Sequence, residues 1–180
     1  PTLTLKNSLA VYGSSITVTD LSNKDYVFYV QGDIKFDAVN NIIIRNEVLA
    51  RDDTDAFRSI TLTSQSGLIN RQNSTQASQP REYDGQDAEV LRGSTLVVSA
   101  ANGVNLPWTE VSSLSAVNSG DGRILVHETA RGGALDIVGV SQTSSTNTHE
   151  TSIETTTDNG NLTGLGTGTG TGTGIVSAGT

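Results

Sequence analysis

Cysteine and methionine are missing from this chain of 180 residues, and aromatic side chains make up only 4% of it, as three Phe, four Tyr and one Trp. Without Cys, a disulfide framework, a thiol nucleophile and a thiolate metal site are excluded. With so few large side chains a thick globular core is excluded too. A thin core of Ile, Leu, Val and Ala stacked in layers suits the 34% hydrophobic content better. Basic residues are scarce: three lysines and eight scattered arginines face 19 Asp and Glu, for a net charge of −8. Phosphate backbones are bound by clustered Lys and Arg, so nucleic acid is not the expected partner. Long apolar runs are absent as well, and membrane insertion by a helix is not expected. The acidity fits solubility, repulsion between neighbours or cation binding. With Pro1 first and no Met anywhere, we expect a processed product or a piece of a longer chain.

What fills the sequence is Ser, Thr, Asn, Asp and Gly between short runs of β-branched and aliphatic residues. Such residues are poor helix interiors and good turns and strands. Strand-like runs are expected at residues 2–5, 15–19, 26–30, 33–36, 41–44 and 59–63, then at 95–99, 111–116, 123–126, 135–140 and 153–157. Turn residues separate them, among them Gly32-Asp33, Ser66-Gly67, Asn102-Gly103 and Gly120-Asp121-Gly122. No long stretch keeps apolar residues at helical spacing, so helix is expected to be nearly absent.

An internal repeat organises these runs. Ser59-Ile-Thr-Leu-Thr-Ser-Gln-Ser-Gly-Leu-Ile aligns with Thr95-Leu-Val-Val-Ser-Ala-Ala-Asn-Gly-Val-Asn, with Gly67 over Gly103. The segments starting at Ser152 and Asp33 align in the same way, and looser copies begin at Ser15 and Arg123. The unit reads apolar, x, apolar, polar turn, Gly or Asn, apolar. Alternation sends two or three side chains inward, and Gly or Asn permits the positive φ of a turn. Unit starts fall roughly 18 to 36 residues apart, a range that fits coils with variable loops. The fold class expected is all-β, a parallel β-helix (β-solenoid) with loop insertions; the alternative is a β-sandwich, whose short strands have similar spacing. The expected organisation is an N-terminal cap or edge strands over residues 1–32, solenoid repeats over 33–163 with a loop insertion at 70–87, and a Gly/Thr-rich terminal strand or linker over 164–180.

The runs Leu91-Arg-Gly-Ser-Thr-Leu-Val-Val-Ser-Ala-Ala-Asn-Gly-Val-Asn-Leu, Val111-Ser-Ser-Leu-Ser-Ala-Val-Asn-Ser-Gly-Asp-Gly-Arg-Ile-Leu-Val-His-Glu-Thr and Ala134-Leu-Asp-Ile-Val-Gly-Val resemble the β-strand repeats of very large bacterial exoproteins, similar to filamentous-haemagglutinin-type adhesins. The resemblance covers residues 33–180 and is closest over 91–163. It implies a right-handed parallel β-helix, export to the cell surface, and a role in adhesion, matrix or filament. The insert at 70–87 and the aromatic stretch Asp25-Tyr-Val-Phe-Tyr-Val depart from the pattern.

Among single residues, Asp52, Asp53 and Asp55 form the densest carboxylate cluster; hard oxygens of this kind suit Ca²⁺, against a solvated turn, which is the favoured reading. No other cofactor is expected, and no calcium β-roll repeat occurs. His127 and His149 are the only histidines, too few and too far apart for a zinc site. No Gly-x-Ser-x-Gly elbow supports a serine nucleophile. A polysaccharide-active β-helix enzyme would gather carboxylates on one face, whereas here they are dispersed; we expect no catalysis. Trp108, Tyr26 and Tyr29 are candidates for a glycan-stacking platform, against a plug that covers the solenoid end. Thr2, Leu3, Thr4 and Leu5, with Thr167, Thr169, Thr171 and Thr173 of the tail, are the strands expected to mediate edge-to-edge assembly. The function expected is an extracellular or cell-surface structural or adhesive protein that forms or extends a fibre, filament or matrix. Its partners are further copies or neighbouring repeats of the same polypeptide. A glycan- or host-binding module and a phage fibre segment are the alternatives.

Overall fold

The computed structural model describes residues 2–19, 27–71, 91–128, 135–142, 151–155, 162–163 and 174–178. All secondary structure among them is β-strand. In chain order the strands are β1 (Thr2–Lys6), β2 (Leu9–Gly13), β3 (Ile16–Val18), β4 (Val27–Gln31), β5 (Ile34–Ala38), β6 (Ile42–Ile44), β7 (Glu47–Ala50), β8 (Ile60–Ser64) and β9 (Ile69–Arg71). They continue as β10 (Leu91–Arg92), β11 (Thr95–Ala100), β12 (Val104–Glu110), β13 (Ser113–Asn118), β14 (Ile124–Glu128), β15 (Leu135–Gln142), β16 (Thr151–Thr155), β17 (Leu162–Thr163) and β18 (Gly174–Ala178).

Every strand-to-strand pairing among the described residues is parallel, which a β-sandwich, built from antiparallel strands, does not have. Neighbours in sequence do not pair; each strand lies beside one several strands later. Thus Thr2 of β1 pairs with Val27 of β4, Leu9 of β2 with Ile34 of β5, and Ile16 of β3 with Ile42 of β6. Three rows result: β1-β4-β7-β10, β2-β5-β8-β11-β13-β15-β17, and β3-β6-β9. Strand β12 then joins the first and third rows. Its Val104 and Asn105 lie beside Ile69 and Asn70 of β9, while its Thr109 and Glu110 lie beside Leu91 and Arg92 of β10. The register with β14 shifts between Leu106 and Thr109, where Pro107 stands, a residue sheets accommodate at bulges. The outcome is two curled sheets, of 11 and 7 strands. Among the described residues the single antiparallel contact is an isolated bridge between Arg51 and Phe57.

Register puts like residues over like. One inward column runs Leu9, Ile34, Ile60, Leu96 and Leu114; a second runs Val11, Phe36, Leu62, Val98 and Ala116. A third, from the other sheet, runs Ile16, Ile42, Ile69, Val104 and Ile124. Almost all of these are buried, and alternate residues on each strand turn outward. A fully buried Ile or Leu is worth about 2 kcal/mol over an exposed one, so the columns supply a core without large side chains.

The corners are held by side chains that bridge layers. The Asp33 amide donates to Ser8 Oγ at 3.1 Å, and the Ser59 amide donates to Asp33 Oδ1 at 3.0 Å. At the next corner Asn40 Nδ2 donates to Ser14 Oγ, Ser66 Oγ to Asn40 Oδ1, and Asn102 Nδ2 to the Ser66 carbonyl. These short polar side chains satisfy backbone groups where the ladder is interrupted.

Residues 2–18 hold β1, β2 and β3, edge strands that share the columns of the later strands. Asn70 and Arg71, expected within the insertion at 70–87, belong to β9. The repeat copy starting at Ser152 forms β16, which pairs with β14 in the larger sheet, whereas the copies starting at Asp33, Ser59 and Thr95 form successive strands of the smaller one. The apolar-x-apolar signature marks any strand with one buried face, so it cannot say which row a strand joins.

Candidate functional site

The densest polar constellation lies on the outer face of the first row, where the chain between β7 and β8 folds back on itself. Asp52 organises this loop. Its Oδ1 accepts hydrogen bonds from the Thr54 hydroxyl at 2.7 Å, the Thr54 amide at 2.9 Å and the Ala56 amide at 3.0 Å. Its Oδ2 accepts from the Arg58 guanidinium. The Thr54 hydroxyl, helped by the Ala56 and Thr54 amides and by Arg58, outweighs the cost of burial and lowers the Asp52 pKa from 3.8 to about 2. Asp55 adopts a φ of 66°, a left-handed turn conformation that Asp tolerates better than most residues. It pairs with Arg51 at 3.4 Å on the surface.

Next to this loop, Arg92 of β10 lies between two carboxylates, 2.8 Å from Glu110 and 3.3 Å from Glu47. The register that places Arg92 between Leu49 and Glu110 sets this arrangement. Phe57 from the loop covers it, with the guanidinium 5.8 Å from the ring centroid. Arg51 lies 5.9 Å from the ring of Tyr29, whose hydroxyl donates to the Asp52 carbonyl at 3.3 Å. Arg51 and Arg92 each face both an acidic group and an aromatic ring, which suits a fixed, packed surface.

The three aspartates therefore do different things. Asp52 is buried and its oxygens are engaged within the loop; Asp53 and Asp55 are exposed. Among the described residues no group of three or more His, Cys, Asp or Glu side chains is placed to hold a metal ion. Trp108, on β12, is only 7% exposed. Tyr29 is half-buried against the Asp52 loop. Tyr26, His149, Thr167, Thr169, Thr171 and Thr173 lie outside the described residues. Thr2, Leu3, Thr4 and Leu5 form β1, whose one partner among the described strands is β4. His127 is half-buried on β14.

Sequence reasoning missed a set of buried polar side chains. Glu128 is fully buried and accepts the Thr109 hydroxyl at 2.8 Å and the Val111 amide at 3.0 Å. Asn118, also fully buried, accepts the Gly103 amide at 2.8 Å and donates to the carbonyls of Gly120, Asp121 and Gly122. Gln142 donates to the Gly122 carbonyl at 2.8 Å. A signal existed: Ile124-x-Val126-x-Glu128 and Leu114-x-Ala116-x-Asn118 hold the polar residue in the inward phase of its strand. Comparison with protein-family models, curated proteins and solved structures gives no match to this chain. No helix of the described residues is long and apolar enough to cross a membrane.

Proposed function

We propose that this chain is a parallel β-solenoid segment of an extracellular structural or adhesive protein, and that it builds or extends a surface fibre by stacking β-layers. The observation that carries the reading is the continuity of the columns. Residues in register over five successive strands point inward, and corner side chains such as Ser8 and Asp33 link each layer to the next. Such an arrangement lengthens by repetition without enlarging its core. The polar groups of the best-defined surface cluster are spent on holding a loop and on pairing Arg92, as a scaffold requires. The pattern-level likeness to filamentous-haemagglutinin-type repeats supports the surface assignment.

An antibody raised against the purified chain tests that assignment on intact source cells. Labelling without lysis is expected, along with thin projections of constant width in negative stain. Labelling that appears only after lysis overturns it.

A further inference from the structure

We propose that Asn102 is a site of spontaneous covalent modification that the folded corner holds in check through Asn118, so that it records openings of the corner between β11 and β12. Asn followed by Gly is the asparagine most open to attack by its own main chain, because glycine places no side chain in the way. The Gly103 nitrogen loses its proton to solvent base and attacks Cγ of Asn102. The N–Cγ bond forms, the Cγ–Nδ2 bond breaks, and Nδ2 takes up a proton and leaves as ammonia. Water then opens the cyclic imide at either carbonyl and yields Asp or its β-linked isomer, isoaspartate. The device needs no partner beyond water.

The fold itself demands both residues here. Gly103 adopts a φ of 108°, which favours glycine, and a Cβ there would lie 3.2 Å from the Arg123 carbonyl oxygen. Asn102 reaches back to the preceding layer: its backbone amide donates to the Gly67 carbonyl at 2.9 Å and its Nδ2 to the Ser66 carbonyl at 2.7 Å. The earlier members of this corner series are Ser14, Asn40 and Ser66. The two serines carry no amide, and Asn40 is followed by Asn41, whose side chain crowds the attack. Among these corners, residues 102 and 103 alone combine the amide with an unhindered nucleophile.

Water reaches Asn102, which is exposed, but the nucleophile beside it is withheld. The Gly103 amide donates at 2.8 Å to Oδ1 of Asn118, a fully buried side chain whose Nδ2 holds the carbonyls of Gly120, Asp121 and Gly122. The Gly103 carbonyl accepts from the Ile69 amide at 3.0 Å, and the Val104 amide donates to the Arg123 carbonyl at 2.8 Å. The peptide is thus fixed from the layers on both sides. Attack needs the nitrogen within about 3–3.5 Å of Cγ and its proton released, so the bond to Asn118 must break first. Afterwards the corner cannot close as before. Both products lack the donor to the Ser66 carbonyl. Isoaspartate also adds a methylene to the main chain ahead of Val104, which stands in register with Ile69 and Ile124.

Peptide mapping by mass spectrometry during incubation at mildly alkaline pH tests this, with the full chain compared against a synthetic peptide of residues 99–105. In the folded wild type Asn102 is expected to gain the mass of deamidation at least about tenfold more slowly than in the peptide. Asn118→Ala removes the acceptor and is expected to raise the rate about tenfold while circular dichroism still shows the β spectrum. Reaction in the folded wild type at the rate of the peptide overturns the protection. An Asn118→Ala chain that keeps its β spectrum and reacts no faster than wild type overturns the role of Asn118. Where that variant does not fold, the wild type decides, with hydrogen exchange of the Gly103 amide and deamidation of Asn102 followed in urea below the unfolding midpoint. Both rates are expected to rise together. A deamidation rate that stays flat while the Gly103 amide exchanges, or two rates that stay flat until the whole chain unfolds, overturns the proposal.

Discussion

Gly32 and Gly139 are the same residue type in the same fold, and the structure demands opposite outcomes when each becomes Ala. A Cβ at Gly32 would sit 2.6 Å from the Ser8 nitrogen, 2.8 Å from the Asn7 carbonyl carbon and 2.9 Å from the Ser8 Cα. All three atoms belong to the backbone of the adjacent layer, which is itself fixed by β1–β4 and β2–β5 pairing. No side-chain rotation relieves the overlap, so the layers must part. Overpacking of this kind costs about 1–3 kcal/mol, and the reduced freedom of the unfolded chain returns about 0.4–1 kcal/mol. The net expectation for Gly32→Ala is a loss of about 1–2 kcal/mol. A Cβ at Gly139 meets nothing within 4 Å, so only the unfolded-chain effect operates there and Gly139→Ala should stabilise by about 0.4–1 kcal/mol. Urea unfolding with linear extrapolation reads both changes, provided the slope is the same for all three proteins. If Gly32→Ala is as stable as Gly139→Ala, the close stacking of layers at the first corner is wrong.

Leu62, fully buried between Phe36 and Val98, should lose about 2–5 kcal/mol on replacement by Ala, read by the same urea titration; a loss below about 1 kcal/mol would mean the column collapses around the gap. Asp52 predicts a pH dependence. Its pKa falls from 3.8 to about 2 on folding, so its ionised form contributes stability above 3.8 that disappears as pH drops toward 2. Wild type should therefore lose stability more steeply than Asp52→Asn across that window, and parallel pH profiles would refute the hydrogen-bonded loop. Because the Asp52 oxygens are occupied by Thr54, Ala56 and Arg58, a Ca²⁺ chelator should leave the thermal midpoint of wild type unchanged.

Much of the architecture was legible in the sequence because one physical signal, alternation against a thin core, repeats. Ile34-x-Phe36, Ile60-x-Leu62 and Leu96-x-Val98 announce both a strand and its buried face, and their alignment from Asp33, Ser59 and Thr95 is the register found. The alignment fails by one residue at the corner. Gly67 aligns with Gly103 in sequence, whereas Ile69 pairs with Val104, because corners differ in length while strands do not. The strands missed are β2, β7, β9, β10, β12, β17 and β18, and in some of them the pattern is short or interrupted. β10 has two residues, and β12 contains Pro107 and Trp108, which read as a break. The loop at Asp52 was visible as a carboxylate cluster, but its chemistry was not. Whether a carboxylate binds a cation or caps a turn depends on where Thr54, Ala56 and Arg58 place their donors, and adjacency in sequence does not fix that.

The inward column of the first row shows how such a fold absorbs an irregularity. It runs Phe28, Val48 and Leu91, then turns polar at Thr109 and Glu128. The change occurs at β12, the strand that runs through both the third and the first row and shifts register on the way. Beyond the shift, the Val111 amide is received by both oxygens of Glu128, at 3.0 and 3.1 Å, in place of a carbonyl. The Thr109 hydroxyl donates to the same carboxylate and lies 3.2 Å from the His127 carbonyl. A buried amide without an acceptor costs about 1–3 kcal/mol, so a polar residue in the core phase is the cheaper solution at this point. Asn118 acts likewise one row away, filling the position of Ala38 and Ala100 and binding the Gly103 amide and three carbonyls of the turn that follows it. The inward polar residues therefore mark the places where the backbone ladder is interrupted and a side chain has replaced one of its groups.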